Sequence, residues 1–151
     1  MNIPITGEHI TGAVCRAIKA DFPDVPIYRE AIDQDIKEPC FFVWNSGTET
    51  APVIWPKYKE THHIEVRYYP PDRNTQQREA MDTGARLLET LRQITIKSQR
   101  QESLPIHATE CTRKTVDDAL VFSVNYKTEG YFYEDKAQTM GDLASKIEIK
   151  E

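Results

Sequence analysis

Residues 61–71, THHIEVRYYPP, decide how this chain is read. Over residues 61–69 the side chains alternate. His62, Ile64, Val66 and Tyr68 share one face, and His63, Glu65, Arg67 and Tyr69 share the other. That is the period of a strand with one buried side. Pro70 and Pro71 end it, because proline cannot donate to a ladder. Neighbouring strand residues point to opposite faces, so His62 and His63 cannot jointly grip one ion while the segment is extended. His62 reads as a core-edge histidine with one hydrogen bond, and His63 as a solvated or interfacial one.

Upstream of this strand, Ile10, Val14, Ala17, Ile18 and Phe22 keep helical spacing across residues 6–22, with Thr6 as N-cap and Pro23 as terminator. A short extended segment follows at Ile27 and Tyr28, then a polar turn or loop, IDQDIKEP. The run CFFVWN (40–45) has the length and apolarity of a strand buried on both faces. Residues 46–58, with Gly47, Pro52 and Pro56, read as a long loop or an extended hairpin tip.

Downstream, Asn74 is the expected N-cap of a second helix reaching about Ile94. Its buried stripe is Ala80, Met81, Gly84, Leu87, Leu88 and Leu91, and Asp82 and Arg86 form an i,i+4 surface pair. Strands are expected over residues 106–113 and 120–128, joined by a VDDA hairpin turn. In the second of these, Leu120, Phe122, Val124 and Tyr126 face one way. The expectation is an α+β fold: one domain over residues 1–133, a mainly antiparallel or mixed sheet with two helices packed on one face, and a charged C-terminal tail over 134–151.

Composition narrows the function. The 151 residues are 39% apolar and 28% charged, a size that fits one domain. Mean hydropathy is −0.60, and the longest apolar run, Cys40 to Trp44, is far short of the ~20 residues a bilayer demands. The start MNIPITGEHITG lacks a basic and apolar leader, so no signal peptide is expected. Three widely spaced cysteines, Cys15, Cys40 and Cys111, fit free thiols in a reducing compartment. A net charge of −5 argues against sequence reading of nucleic acid, while leaving room for a protein that surrounds DNA without gripping it.

Motifs for chemistry are missing. Cys15 falls mid-helix, Cys40 heads an apolar strand and Cys111 lies in an alternating one, so none has the cationic setting of a reactive thiol. His107 and Cys111, on the face shared with Thr109, could add to a histidine site, but no metal-ligand spacing supports them. Asp117 and Asp118 suit a turn. The six glycines make no phosphate loop. Catalytic, cofactor-binding and metal residues are therefore all expected to be none. Trp55 and Tyr58, in a loop rich in proline and threonine, either mark a protein interface or fold back over a sheet edge.

The block FPDVPIYREAIDQDIKEPCFFV, residues 22–43, resembles the tail terminator proteins of phages and prophages of Gram-positive bacteria. The likeness continues through THHIEVRYYP, the helix after RNTQQREAMD and the strand ALVFSVNYK. The loop NSGTETAPVIWPKYKE is longer or richer in proline than the family pattern. The resemblance implies a small structural protein without catalytic residues or cofactor. It implies a homo-oligomeric ring, a hexamer, that caps the tail tube, stops its polymerisation and joins it to the head-tail connector protein. The partners implied are copies of itself, the tail tube protein and the connector. DNA passes through the lumen without sequence-specific binding, and no membrane is involved. The place is the virion tail or neck, after assembly in the host bacterial cytoplasm. Expected protein-interface residues are Trp55, Tyr58, Arg67, Tyr69, Tyr131, Phe132 and Tyr133. Three alternatives stand beside this: another neck protein, such as a head-completion or connector subunit; a metal-dependent hydrolase or nuclease using His62 or His63 with Glu65, His107 or Glu110; or a small adaptor or inhibitor that binds one host protein through the Trp55 loop.

Overall fold

A computed structural model describes residues 5–29, 38–71, 76–97, 103–116 and 119–132. The elements run α1 (Gly7–Asp21), β1 (Ile27–Tyr28), β2 (Cys40–Pro52), β3 (Lys57–Tyr69), α2 (Gln76–Leu91), β4 (Gln93–Lys97), β5 (Ser103–Val116) and β6 (Ala119–Tyr131). They build one mixed six-stranded sheet in the order β1-β2-β3-β6-β5-β4. Only β1 and β2 are parallel; the other four pairings are antiparallel. The fold is α+β, as the alternation of strand and helix patterns implies.

The predicted N-terminal helix forms with its predicted cap. Thr6 Oγ1 accepts the His9 N–H at 3.4 Å, and His9 Nδ1 accepts the Thr6 N–H at 3.0 Å. A histidine thus takes the reciprocal role that glutamate or glutamine usually fills. At the other end the Phe22 N–H bonds the Ile18 carbonyl at 2.7 Å, and Pro23 blocks a further turn.

The inner face of the sheet carries Phe41 and Val43 of β2, Ile64, Val66 and Tyr68 of β3, and Leu120, Phe122, Val124 and Tyr126 of β6, all buried. Against it lie Ile10, Val14 and Ile18 of α1 and Ala80, Leu87 and Leu91 of α2. The Tyr126 hydroxyl donates to the Leu91 carbonyl at 2.6 Å, so the largest buried side chain is anchored to the end of α2. The two helices are tied together by Arg86. Its guanidinium meets Asp21 Oδ1 at 3.3 Å and the Asp21 carbonyl at 2.9 Å, and covers the Phe22 ring 4.0 Å from its centroid.

Several expectations are corrected. Helix two ends at Leu91 rather than Ile94, and QITIK forms β4, with Ile94 and Ile96 buried and Gln93, Thr95 and Lys97 exposed. The β-branched residues there favour a strand over another helical turn. Met81 and Leu88 are not in the buried stripe: they are 70% and 41% exposed, and Thr83 is buried with Ala80 and Leu87 instead. Arg86 is drawn to Asp21 on α1, not to Asp82. Of the two readings of residues 46–58, the extended hairpin tip is the one found: β2 runs to Pro52 and β3 begins at Lys57, leaving a turn of only 53–56. Val116 pairs with Ala119 across the expected hairpin. The Asn74 cap, the loop after Arg29, Asp117, Asp118, Tyr133 and the 134–151 tail lie outside the described residues.

Removing packing here has a definite cost. Leu87→Ala should lower unfolding free energy by about 2–5 kcal/mol, the range for a fully buried leucine. Tyr126→Phe should lower it by about 1–3 kcal/mol by orphaning the buried Leu91 carbonyl. Urea denaturation of the two variants against the parent chain checks both.

Candidate functional site

The two histidines occupy opposite faces of β3, and each is engaged. His62 is fully buried, with Nε2 3.0 Å from Thr128 Oγ1 on β6 and Nδ1 3.4 Å from Thr48 Oγ1 on β2. It therefore makes two contacts, one on each neighbouring strand, where one was expected. Burial pushes its pKa below the usual 6.5; Glu60 opposes this and His63 adds to it. His63 is half-buried, with Nδ1 2.7 Å from Asn125 Oδ1 and Nε2 3.3 Å from Glu49 Oε1.

The remaining residues of the hydrolase alternative are scattered. Glu65 lies 3.7 Å from Arg67, and Glu110 accepts from Asn125 Nδ2 at 3.3 Å. A bulge at Thr109 shifts the β5–β6 register. Ala108 and Cys111 thereby fall opposite the inward Tyr126 and Val124, which puts His107 on the other face from Cys111 and undoes the shared face read from the sequence. Among the described residues no group of three or more His, Cys, Asp or Glu side chains is arranged to hold a metal ion. Burial raises the thiol pKa of Cys15, Cys111 and Cys40, the last to about 11, so little thiolate is present near neutrality.

What the structure does gather is aromatic and apolar. The β2–β3 turn and the end of β6 lie side by side, because Lys57 pairs with Tyr131. Trp55 stacks on Phe132 with centroids 5.1 Å apart and planes 11° from parallel, and Tyr58 meets the same ring at 4.9 Å. The Phe132 N–H donates to the Pro56 carbonyl at 2.7 Å, and Lys57 and Glu129 pair at 3.1 Å. Tyr58 is buried beneath, its ring laid over Gly130, its cross-strand partner. A tyrosine ring covering a strand glycine protects backbone that would otherwise be bare. On top, Ile54, Trp55 and Tyr131 are 77%, 62% and 68% exposed, joined by Val53. Trp55 thus fits both readings: it folds onto Phe132 and still presents most of its surface.

A second patch occupies the outer face at the opposite end of β3. Tyr28, Phe42 and Tyr69 form a row with centroids 5.4 and 5.6 Å apart, and the Arg67 guanidinium stands 5.2 Å from the Trp44 ring centroid. Tyr58 and Arg67 are nine residues apart on one strand, about 30 Å. The expected interface residues therefore fall into two groups: Trp55, Tyr58, Tyr131 and Phe132 at one end, Arg67 and Tyr69 at the other. Val53 and Ile54, exposed beside Trp55, were not among the expected residues, although apolar residues between Pro52 and Pro56 were the available signal. Tyr28, Phe42 and Trp44 were read only as core or strand residues.

Two outcomes test this geometry. Gly130→Ala places a methyl 2.6 Å from the Tyr58 ring, so the ring must leave, with a loss of about 1–3 kcal/mol in urea denaturation and a changed near-ultraviolet circular dichroism. For His62, the folded pKa lies below the unfolded one, so the unfolded chain binds the proton more readily. The His62 contribution is complete above pH 6.5 and is lost as pH falls below it. Stability should drop as pH falls below about 6.5, with a shallower slope in His62→Gln.

Comparison with known proteins adds the family. Residues 9–139 match the family model described as phage tail terminator protein. A solved structure 13% identical in sequence aligns over 87% of this chain and 100% of its own, at a TM-score of 0.38. No curated protein matches. With most of its length matched, the chain belongs to the phage tail terminator family, a structural component of the phage tail.

Proposed function

We propose that this member of the phage tail terminator family forms a closed ring, a hexamer, that seats on the last ring of a tail tube. It thereby stops polymerisation and offers its other side to the head-tail connector. It works by shape and performs no catalytic step. The observation carrying this reading is the platform of Ile54, Trp55 and Tyr131 held over the Tyr58–Phe132 support. Clustered aromatics on a rigid base supply contact area at low entropic cost, the usual character of interface hot spots.

A ring needs two different surfaces on each subunit, since head-to-tail contacts are heterologous and close only if the rotation closes. This chain has two, the distal platform and the outer-face patch of Tyr28, Phe42, Tyr69 and Arg67. In the proposed ring, the platform of one copy docks on the patch of the next. The β2 edge adds to this: β1 pairs only with Phe41 and Phe42, and residues 46–52 have no strand on that side among the described residues. A neighbour's backbone there would satisfy the open ladder. A net charge of −5 suits a lumen through which DNA slides without being held. Assembly would take place in the host bacterial cytoplasm and end in the virion neck.

Mixing the purified chain with its tail tube protein tests the proposal. Negative-stain images should show capped tube ends of uniform length, and mass measurement should give a hexamer, free or tube-bound. Ile54→Ser/Tyr131→Ser should abolish rings and caps while leaving thermal melting within a few degrees, because both side chains are mostly exposed. Uncapped tubes and monomers with the parent chain would sink the reading.

A further inference from the structure

Two stretches of sequence carry opposite charges at the same spacing. On β3, EVRYY (65–69) sets Glu65, Arg67 and Tyr69 at alternate positions. On β6, KTEGY (127–131) does the same with Lys127, Glu129 and Tyr131. Alternate strand residues share a face. The β3–β6 register runs unbroken from Lys57↔Tyr131 to Tyr68↔Leu120, and Ile64, Val66 and Tyr68 of β3 face the helices. All six residues therefore stand on the outer face of the sheet.

Both strips are accessible, and their own ion pairs are weak. Lys127, Glu129 and Tyr131 are exposed, and Glu65, Arg67 and Tyr69 are half-buried. Glu129 meets Lys57 at 3.1 Å with both side chains exposed, and such pairs contribute little where they stand. Glu65 Oε2 lies 3.7 Å from Arg67 Nε, beyond hydrogen-bond reach, and Nε is buried with no hydrogen-bond partner among the described residues. The Trp44 ring, its centroid 5.2 Å away, supports the Arg67 guanidinium. A supported arginine loses little freedom when a carboxylate reaches it. The other outer-face acids described on the sheet are engaged elsewhere: Glu49 lies 3.3 Å from His63, and Glu110 accepts from Asn125.

The two strips cannot meet within one chain. Glu129 lies level with Lys59, eight residues from Arg67, about 27 Å along β3. β2 and β6 flank β3 over that length, so the strand does not fold back on itself.

We infer that the strip at 127–131 of one copy docks on the strip at 65–69 of another, with Lys127 on Glu65, Glu129 on Arg67 and Tyr131 on Tyr69. Neighbours within each strip are ~7 Å apart, so one placement makes all three contacts. Running one strip the other way keeps only Glu129 on Arg67, and sets Lys127 against Tyr69 and Tyr131 against Glu65. The order of charges thus selects one alignment, which is how electrostatic complementarity fixes register. The inference rests on the ring reading and deepens it: it names the contact that holds the platform of one copy on the patch of the next.

Charge reversal tests it, read as the protein concentration at half-assembly, free or on tubes. Arg67→Glu and Glu129→Arg should each raise that concentration at least about tenfold. The double reversal should bring it back to within about threefold of the parent. Glu65→Lys and Lys127→Glu form a second swap with the same expectation, and it decides the matter where circular dichroism shows a variant of the first to be unfolded. Rescue by a double reversal supports the contact. Single variants that assemble like the parent, or folded doubles as weak as the singles, overturn it while the ring reading stands. A parent chain that stays monomeric with and without tubes overturns both.

Discussion

β3 is paired along its whole length on both sides, with β2 from Cys40 to Pro52 and with β6 from Leu120 to Tyr131. Each surface depends on the register of these two ladders. Strand side chains alternate, so a slip of one residue on β3 would drive Glu65 and Arg67 into the helices and turn Ile64 and Val66 to water. The bulge at Ser46 makes the register compatible with both ends of the hairpin. Ser46 Oγ donates to the His63 carbonyl, and Asn45 Oδ1 takes the Gly47 N–H, so the extra residue is absorbed with its polar groups engaged. Beyond the bulge, Thr48 faces His62 and the inward row stays inward.

That row changes character along β3. At the helix-covered end it is Tyr68, Val66 and Ile64 under α1 and α2. His62 follows, bonded to threonines on both flanking strands, and beyond it comes the tyrosine over Gly130. The helices cover only part of the sheet, so among the described residues the distal end of β2, β3 and β6 has little apolar core beneath it. Cross-strand contacts hold that end together instead, through the Thr48–His62–Thr128 link, the Lys57–Glu129 pair and the Trp55–Phe132 stack. A neutral imidazole suits this place because it can donate from one nitrogen and accept at the other.

Much of this was legible in the sequence. The alternation in THHIEVRYY and ALVFSVNYK placed both central strands on the correct faces, because a one-sided buried strand leaves a clear period of two. Thr6 and Pro23 marked helix one, since capping and proline sterics are local. The failures came where tertiary contact overrode local pattern. QITIK continued a plausible helix until Ile94 and Ile96 found the core. Met81 and Leu88 lie one helical flank away from Leu87, a difference that apolar spacing alone does not resolve. Gly47, Pro52 and Pro56 left a loop and an extended hairpin tip both open; the hairpin forms because Gly47 sits beside a bulge, Pro52 ends a strand on an edge and Pro56 is in the turn, the positions where a ladder tolerates them. Trp55 and Tyr131 were readable as exposed aromatics, while the burial of Tyr58 and the division of the expected residues into two distant groups depend on pairing that no single segment carries.

Polar composition and long strands together bear on function. A chain only 39% apolar nonetheless displays Ile54, Trp55 and Tyr131 at one tip. Those residues add little to the core, and exposing them invites unwanted association. Strands of 13 residues also reach past the helices that would cover them. Both features carry a stability and solubility cost for a protein that acts alone. They suit a subunit whose partners supply the missing cover, as a member of a phage tail family requires. The stack on Phe132 and the Tyr58–Gly130 contact hold the tip in one conformation before any partner arrives, so association need not order it, and less binding free energy is lost to that ordering.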